Sequence, residues 1–228
     1  IVDRLVGSEM CIRDSFMRQE LLIGITESGV MHTDADPPIP LDTKFQMVKE
    51  SGVYDYFDKT PTLELEDDYR RCSEKYELPI LAGGWFYVLG RDEDLLMENL
   101  RLGARLGSLV HNTQIMMDHQ DGSLVSDEQV VEIYLRAYET GEACGCRPTF
   151  EVHVNMWSED FRRIEKVADL VKKQGIPFRM TLDHSHVIFK IDNPREQEVF
   201  NIRESIENGD LVLDPFQDNH VLSLIHIS

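Results

Sequence analysis

The chain has 228 residues, 42% hydrophobic and 29% charged, enough to bury a sizeable core and unlike a disordered or fibrous composition. Lys and Arg total 23 against 42 Asp and Glu, a formal charge of -19, so a phosphate backbone is repelled unless a local basic patch intervenes. No apolar run reaches the roughly 20 residues that cross a bilayer, and no segment has the basic, apolar, small-residue order of a signal peptide. Nucleic acid and membrane are therefore not expected partners, and a soluble protein of the cytoplasm is expected.

Both termini have to be set aside before any fold is read. Arg4–Ser15 reads RLVGSEMCIRDS, the translation of a transposase sequencing adapter, and Leu222–Ser228 reads LSLIHIS, which the reverse complement of the same DNA encodes. Residues 1–15 and 222–228 are thus expected to be adapter-derived tails, and residues 16–221 the native stretch, with Met17 a candidate initiator and the C-terminus cut in mid-gene. Setting Cys11 aside leaves Cys72, Cys144 and Cys146, an odd number without disulfide density, as in a reducing compartment. Cys144 and Cys146 are too close-set to make a four-ligand zinc site alone.

Six βα units follow in chain order. Strands are expected at 21–26, 53–57, 79–82, 108–113, 149–154 and 178–183. The third opens into Gly83-Gly84-Trp85-Phe86. Helices are expected at 42–51, 63–76 with acidic residues in its first turns, 92–106 ending near Gly107, and from Ser126, where Ser126 and Gln129 form a capping-box pattern. Two more follow, one opened by Ser158–Phe161 and stopped by Gly175, the other running from Pro194 to Asn208 with Gly209 after it.

The strand starts lie roughly 30 residues apart, which suits an open doubly wound sheet or a (β/α)8 barrel. An open nucleotide-binding sheet should carry a glycine-rich turn after its first strand, and Glu27-Ser28-Gly29 is not one. The expected fold is therefore an α/β (β/α)8 TIM barrel. A complete one needs about 250 residues, so six units imply a barrel lacking its last two strands.

In a barrel strand, alternate residues point into the lumen, and those at the C-terminal end face the active site. Glu151, His153 and Asn155 share one face of the fifth strand, and Arg179, Thr181 and Asp183 one face of the sixth. Several ionisable groups in a lumen are costly unless they bind a metal or a polar substrate, or pair in an internal network through Arg179. Asp183-His184-Ser185-His186 adds imidazoles to a strand-end carboxylate, and Glu151 and Asp183 together make a candidate divalent-metal site. Further candidates are His111 at the end of the fourth strand, reaching substrate or satisfied within the fold, and Trp85, stacking on a sugar ring or capping the barrel. His32, Asp34 and Glu27 lie on the same side. His119 and Asp121 read as loop, and Met116-Met117 as packing.

With Glu151 in FEVHVN and Asp183 and His186 in TLDHSH, the sequence resembles the xylose-isomerase-like TIM-barrel superfamily of sugar isomerases, epimerases, inosose dehydratases and endonuclease IV relatives. The resemblance implies Glu151 and Asp183 as ligands of a divalent metal (Mn2+, Mg2+, Co2+ or Zn2+) and His186 as a contact to substrate or to a further metal. Glu151 would double as acid/base, and His111, His153, Trp85 and Arg179 would contact substrate. The implied activity is a metal-dependent isomerase or epimerase that abstracts a proton next to the carbonyl of a sugar-like small molecule, with a homo-oligomer compatible. A dehydratase-like lyase, an endonuclease-like phosphodiesterase and a non-catalytic sugar-binding barrel are the alternatives. The family's remaining histidine and glutamate ligands have no counterpart up to Val221, so this polypeptide is expected to be inactive or nearly so.

Overall fold

The structure, a computed structural model, describes residues 21–30, 38–183, 191 and 193–209. The two terminal tails, His32, Asp34 and His186 lie outside these residues. Six parallel strands form one sheet in the order β1-β2-β3-β4-β5-β6, with helices between them, so the fold is an incomplete (β/α)8 barrel. The strands are β1 (Gly24–Thr26), β2 (Tyr56–Asp58), β3 (Ile80–Tyr87), β4 (Val110–Ile115), β5 (Arg147–Val152) and β6 (Met180–Leu182). The longer helices are α1 (Leu41–Ser51), α2 (Glu66–Tyr76), α3 (Glu93–Leu106), α4 (Asp127–Cys144) and α5 (Phe161–Lys172). Two short ones, α6 (Pro194–Val199) and α7 (Ile202–Glu207), follow.

Local chemistry accounts for most of these boundaries. Gln129 N–H donates to Ser126 Oγ (3.2 Å) and Ser126 N–H donates to Gln129 Oε1 (2.8 Å), the reciprocal pair that opens α4. Gly107 and Gly145 end α3 and α4 at φ 98° and 90°, a left-handed conformation that only glycine takes cheaply. The helix expected from Pro194 to Asn208 is instead two, because Asn201 turns left-handed at φ 48° between them. Helix α5 starts later than Ser158, with Asp160 as the cap whose side chain accepts from Arg162 N–H.

Strand limits shift more than helix limits. β1 is confined to Gly24–Thr26 and β2 begins at Tyr56 rather than Val53, while β3 continues through Gly83, Gly84, Trp85 and Phe86 to Tyr87. The two glycines permit that extension. A Cβ on Gly83 would stand 2.2 Å from Thr60 Oγ1, and one on Gly84 2.9 Å from the Asn112 carbonyl oxygen. β4 and β5 sit two residues away from the expected ranges, β4 later and β5 earlier, and β6 shortens to three residues.

The sheet's outer face carries the core. In one cluster Phe150 meets Tyr134 of α4 edge-on at 5.0 Å and packs with Leu96, Leu100, Ile133, Trp157, Val167 and Val171. In the other, Phe57 stacks on Phe45 of α1 at 4.4 Å, beside Tyr69 and Cys72. Among the described residues β1 and β6 each have a strand neighbour on one side alone, and Leu22, Ile23 and Leu182 are exposed there. No helix among the described residues is long and apolar enough to cross a membrane.

Helix α6 docks through a buried acid. Glu196 is 1% exposed, and burial, with Glu159, Asp160 and Asp118 nearby against Arg163, pushes its carboxyl up to about 8. An acid whose folded value exceeds its unfolded one costs stability as pH rises from the unfolded value through the folded one. Urea unfolding compared at about pH 6 and about pH 9 should show stability falling toward the higher pH, and Glu196→Gln should flatten that part of the profile. An unchanged profile in the variant would assign the dependence to other groups.

Candidate functional site at the carboxyl end of the sheet

The site grows from the alternation of β4 and β5. β4 and β5 pair in parallel with Asn112 opposite Thr149 and Thr113 opposite Phe150. Phe150 and Val152 face the helices, which leaves Thr149 and Glu151 on the inner face with Asn112 and Gln114. Asn112 Nδ2 donates to Glu151 Oε2 at 2.6 Å, and Gln114 Nε2 donates to the same oxygen. Glu151 is 4% exposed.

β6 continues the pattern. Glu151 stands opposite Thr181 and Val152 opposite Leu182, while the Thr149 and Thr181 hydroxyls meet at 2.7 Å. Asp183, the next residue on the Thr181 face, is close enough to Glu151 for its charge to be felt. Burial raises the Glu151 carboxyl above the ordinary range. Hydrogen bonds from Gln114 and Asn112 and the His153 ring pull it back, and Asp183 pushes it further up. His153 lies just past β5, its ring edge-on to Phe86 at 5.8 Å and its Nδ1 2.7 Å from the Val154 carbonyl oxygen. That contact makes Nδ1 the donor.

A cleft of about 390 Å³ opens beside this group, bounded by Thr26 at the end of β1 and Ser28 after it, Asp58 and Lys59 at the end of β2, Phe86 of β3 and Asn112 and Gln114 of β4. Trp85 stands at its rim, 42% exposed. Glu27, also on its wall, accepts from Lys44 Nζ (2.7 Å), pairs with Lys59 Nζ (2.8 Å) and accepts from Tyr69 OH (2.8 Å). Burial alone would raise its carboxyl, but these partners outweigh burial and hold it at about 2. Asp58 is raised by burial, opposed by the Lys59 charge.

Two expected substrate contacts are placed elsewhere. His111 lies on the helix-facing side of β4, fully buried, with Nδ1 3.2 Å from Thr60 Oγ1 and Nε2 2.7 Å from Tyr87 OH. Burial drives its imidazole down to about 3, so it is a neutral member of the core. Arg179 precedes β6 and turns outward to α4, its guanidinium over the Tyr138 ring at 5.4 Å and 3.6 Å from Glu142 Oε1. The alternation expected from residue 178 fails because the strand begins only at Met180. His119 pairs with Asp121 in a loop, and Met117 is buried, both as expected.

Phe86 and Asp58 are not site candidates on sequence grounds, and Asn112 and Gln114 are so only as part of the stretch His111–Gln114 that ends the fourth strand. The signal for the two amides is present in HNTQI: once β4 runs to Ile115, alternation puts Asn112 and Gln114 opposite the face of His111.

The oxygen chemistry here suits a hard divalent cation. Glu151 and Asp183 repel one another, and the buried Asn112 Oδ1 beside them has no hydrogen-bond partner. Among the described residues no group of three or more His, Cys, Asp or Glu side chains is disposed to hold an ion.

No protein-family model matches the chain, and no curated protein matches it. Solved structures do. It superposes on 3-keto-D-glucoside 4-epimerase from E. coli with TM-score 0.56 and 12% identity, covering 81% of this chain and 76% of that one. For D-allulose 3-epimerase from Methylomonas sp. the values are 0.57 and 15%, with 73% and 64% covered. For the family 2 AP endonuclease from Brucella melitensis they are 0.53 and 13%, with 79% and 76% covered. These likenesses show the fold, a (β/α)8 barrel of which this chain holds six units. The chain spans less than two thirds of the allulose epimerase and of the probable 3-DHS dehydratase from Bacillus anthracis, which it matches with TM-score 0.52.

The carboxylate pair makes a direct prediction. Asp183→Asn should lower the Glu151 pKa by removing a like charge, and Gln114→Leu should raise it by removing a hydrogen bond to the charged form. A carbon-13 titration of labelled glutamate carboxyls reads both shifts, and movement in the opposite direction in either variant would contradict the geometry.

Proposed function

We propose that the chain carries the catalytic face of a divalent-metal-dependent isomerase or epimerase acting on a sugar or another polyhydroxylated carbonyl compound. The observation that carries this reading is Glu151, a buried carboxylate of raised pKa held by two amides of the cleft wall at the carboxyl end of its strand, beside Asp183. The fold shared with enzymes named as epimerases supports it.

Glu151 is the proton acceptor. Burial raises its basicity, while Asn112 and Gln114, both on the lining of the cleft, hold one of its oxygens. His153, its ring edge-on to Phe86 of the cleft wall, is a further candidate contact to substrate. Phe86 and Trp85 supply apolar faces against which a sugar ring rests. Glu151 and Asp183 would hold the metal, with His186 a further contact outside the described residues. When bound, the metal would supply charge to polarise the substrate carbonyl and its neighbouring hydroxyl.

A dehydratase begins with the same proton abstraction and differs in the leaving of a hydroxyl. The phosphodiesterase alternative shares the fold, but the formal charge of -19 and the carboxylates around the cleft oppose a nucleic-acid backbone.

The test is proton exchange. With Mn2+ or Mg2+ present, the parent protein with its barrel complete should exchange deuterium from deuterium oxide into ketoses or inososes at the carbon next to the carbonyl, the chain as given should do so little or not at all, and Glu151→Gln in the complete barrel should slow the exchange by about 10²–10⁴-fold. Asp183→Asn should weaken the stabilisation of the protein by added metal, read as a smaller rise in melting temperature. Exchange unaffected by Glu151→Gln would remove Glu151 as the base, whereas absence of exchange in the complete barrel with substrate-induced thermal stabilisation intact would favour the binding-only barrel.

A further inference from the structure

Helix α4 passes into strand β5 through Cys144-Gly145-Cys146, whose two free thiols have no part in the lumen site. Gly145 stands at φ 90° and ψ 5°, a left-handed turn that folds the chain back on itself. The residues flanking such a turn have Cα atoms about 5.5 Å apart, inside the range that a disulfide spans.

Both side chains come to one turn of α3. Cys144 Sγ lies 3.6 Å from the Leu100 carbonyl oxygen, and Cys146 Sγ 3.3 Å from where a Cβ on Gly103 would stand. Leu100 and Gly103 are three residues apart on the same helix, hence neighbours on one face. A glycine inside a helix costs about 1 kcal/mol against alanine, and here it leaves room for sulfur.

The two thiols differ in access. Cys144 is half-buried beside an exposed Gly145, whereas Cys146 is fully buried in the main core cluster. Burial, with a smaller contribution from the charge of Cys144, pushes the Cys146 thiol up to about 12, so it keeps its proton at neutral pH. Cys144 is therefore the sulfur that an oxidant meets first. Ser108 adds an independent sign of sulfur chemistry at this spot. It is 3% exposed, its Oγ is buried without a hydrogen-bond partner among the described residues, and it lies 3.7 Å from the same Gly103 Cβ position that Cys146 Sγ approaches. A hydroxyl so placed donates to the Cys146 sulfur as that thiol gives up its proton.

We infer that Cys144 and Cys146 form a thiol–disulfide switch at the start of β5, closed by a hydroperoxide and reopened by a small dithiol. The Cys144 thiolate attacks a peroxide oxygen; an S–O bond forms as the O–O bond breaks, and the leaving oxygen takes up a proton as alcohol or water. The Cys146 sulfur then attacks the Cys144 sulfur, so that S–S forms, S–O breaks and the hydroxide leaves with the Cys146 proton as water. Two electrons pass from the sulfurs to the hydroperoxide. A disulfide that encloses one residue gains little from loop closure, so it is readily reduced again. The switch is independent of the reaction proposed for the lumen.

Hydrogen peroxide is the oxidant for the test, followed by alkylation under denaturing conditions, digestion and mass spectrometry. The fragment carrying both cysteines should lose two hydrogens and take no iodoacetamide until dithiothreitol is added, while Cys72, buried in the other cluster, stays available to the alkylating agent. Cys144→Ser, at the half-buried position, should slow oxidation of Cys146 by about tenfold or more. Cys146→Ser, checked for an intact melting transition, should leave Cys144 as a sulfenic acid that dimedone traps. Thiols unchanged by excess peroxide, a fragment that gains oxygen instead of losing two hydrogens, pairing of either cysteine with Cys72 or with another molecule, or unslowed oxidation of Cys146 in Cys144→Ser would overturn the assignment. Absence of the dimedone adduct in folded Cys146→Ser would do the same.

Discussion

A carboxylate buried at the end of a β-strand has to be solvated by the protein itself, and the inner face of this sheet is organised around that requirement at Glu151. An unpaired buried charge costs several kcal/mol, and each hydrogen bond to it returns about 1.5–3 kcal/mol. One amide is not enough. Asn112 and Gln114 sit two residues apart on β4, so both reach a glutamate on the next strand only while β4 and β5 hold their register. The outer face enforces that register: a slip of one residue would turn Phe150, packed against Tyr134 and Trp157, toward the lumen and Glu151 toward the helices. Apolar packing outside and carboxylate solvation inside therefore specify the same alignment.

The first half of the sheet solves the same problem with cations. Glu27 ties the end of β1 to Lys44 of α1, Lys59 after β2 and Tyr69 of α2, so one side chain joins four consecutive elements. Behind it, Phe45 and Phe57 stack between helix and sheet. β1 and β2 have only three residues each, and short ladders alone are weak. The buried ion cluster and the aromatic stack hold them in place.

Where the sequence was informative, the information was local and periodic. The six βα units, the Ser126 cap and the inward Glu151 with Asp183 follow from period, cap chemistry and alternation, all written in consecutive residues. The errors share one cause: alternation assigns faces only relative to a known strand and a known partner. His111 ends a strand only if β4 stops at Thr113. With β4 reaching Ile115, His111 is mid-strand and outward, fixed by Thr60 and Tyr87, residues distant in sequence. Arg179 fails in the same way at the start of β6. Asp58 carries no motif, and its place on the cleft depends on a pairing of β1 with β2 that no short window of sequence encodes.

The two halves differ in how negative charge is compensated. Glu27 has two ammonium groups within 2.8 Å and is held at about 2, an ion cluster complete within the protein. Glu151 is met by two neutral amides and a histidine, with a second carboxylate near it, and burial keeps its pKa raised. Neutral amides stabilise an anion without cancelling its charge, so the field at the carboxyl ends of β5 and β6 stays negative where that at β1 and β2 does not. A cation or a transferable proton gains most at such a position. That asymmetry within one sheet, more than the presence of acidic residues in a chain rich in them, sets the surroundings of Glu151 and Asp183 apart from those of Glu27.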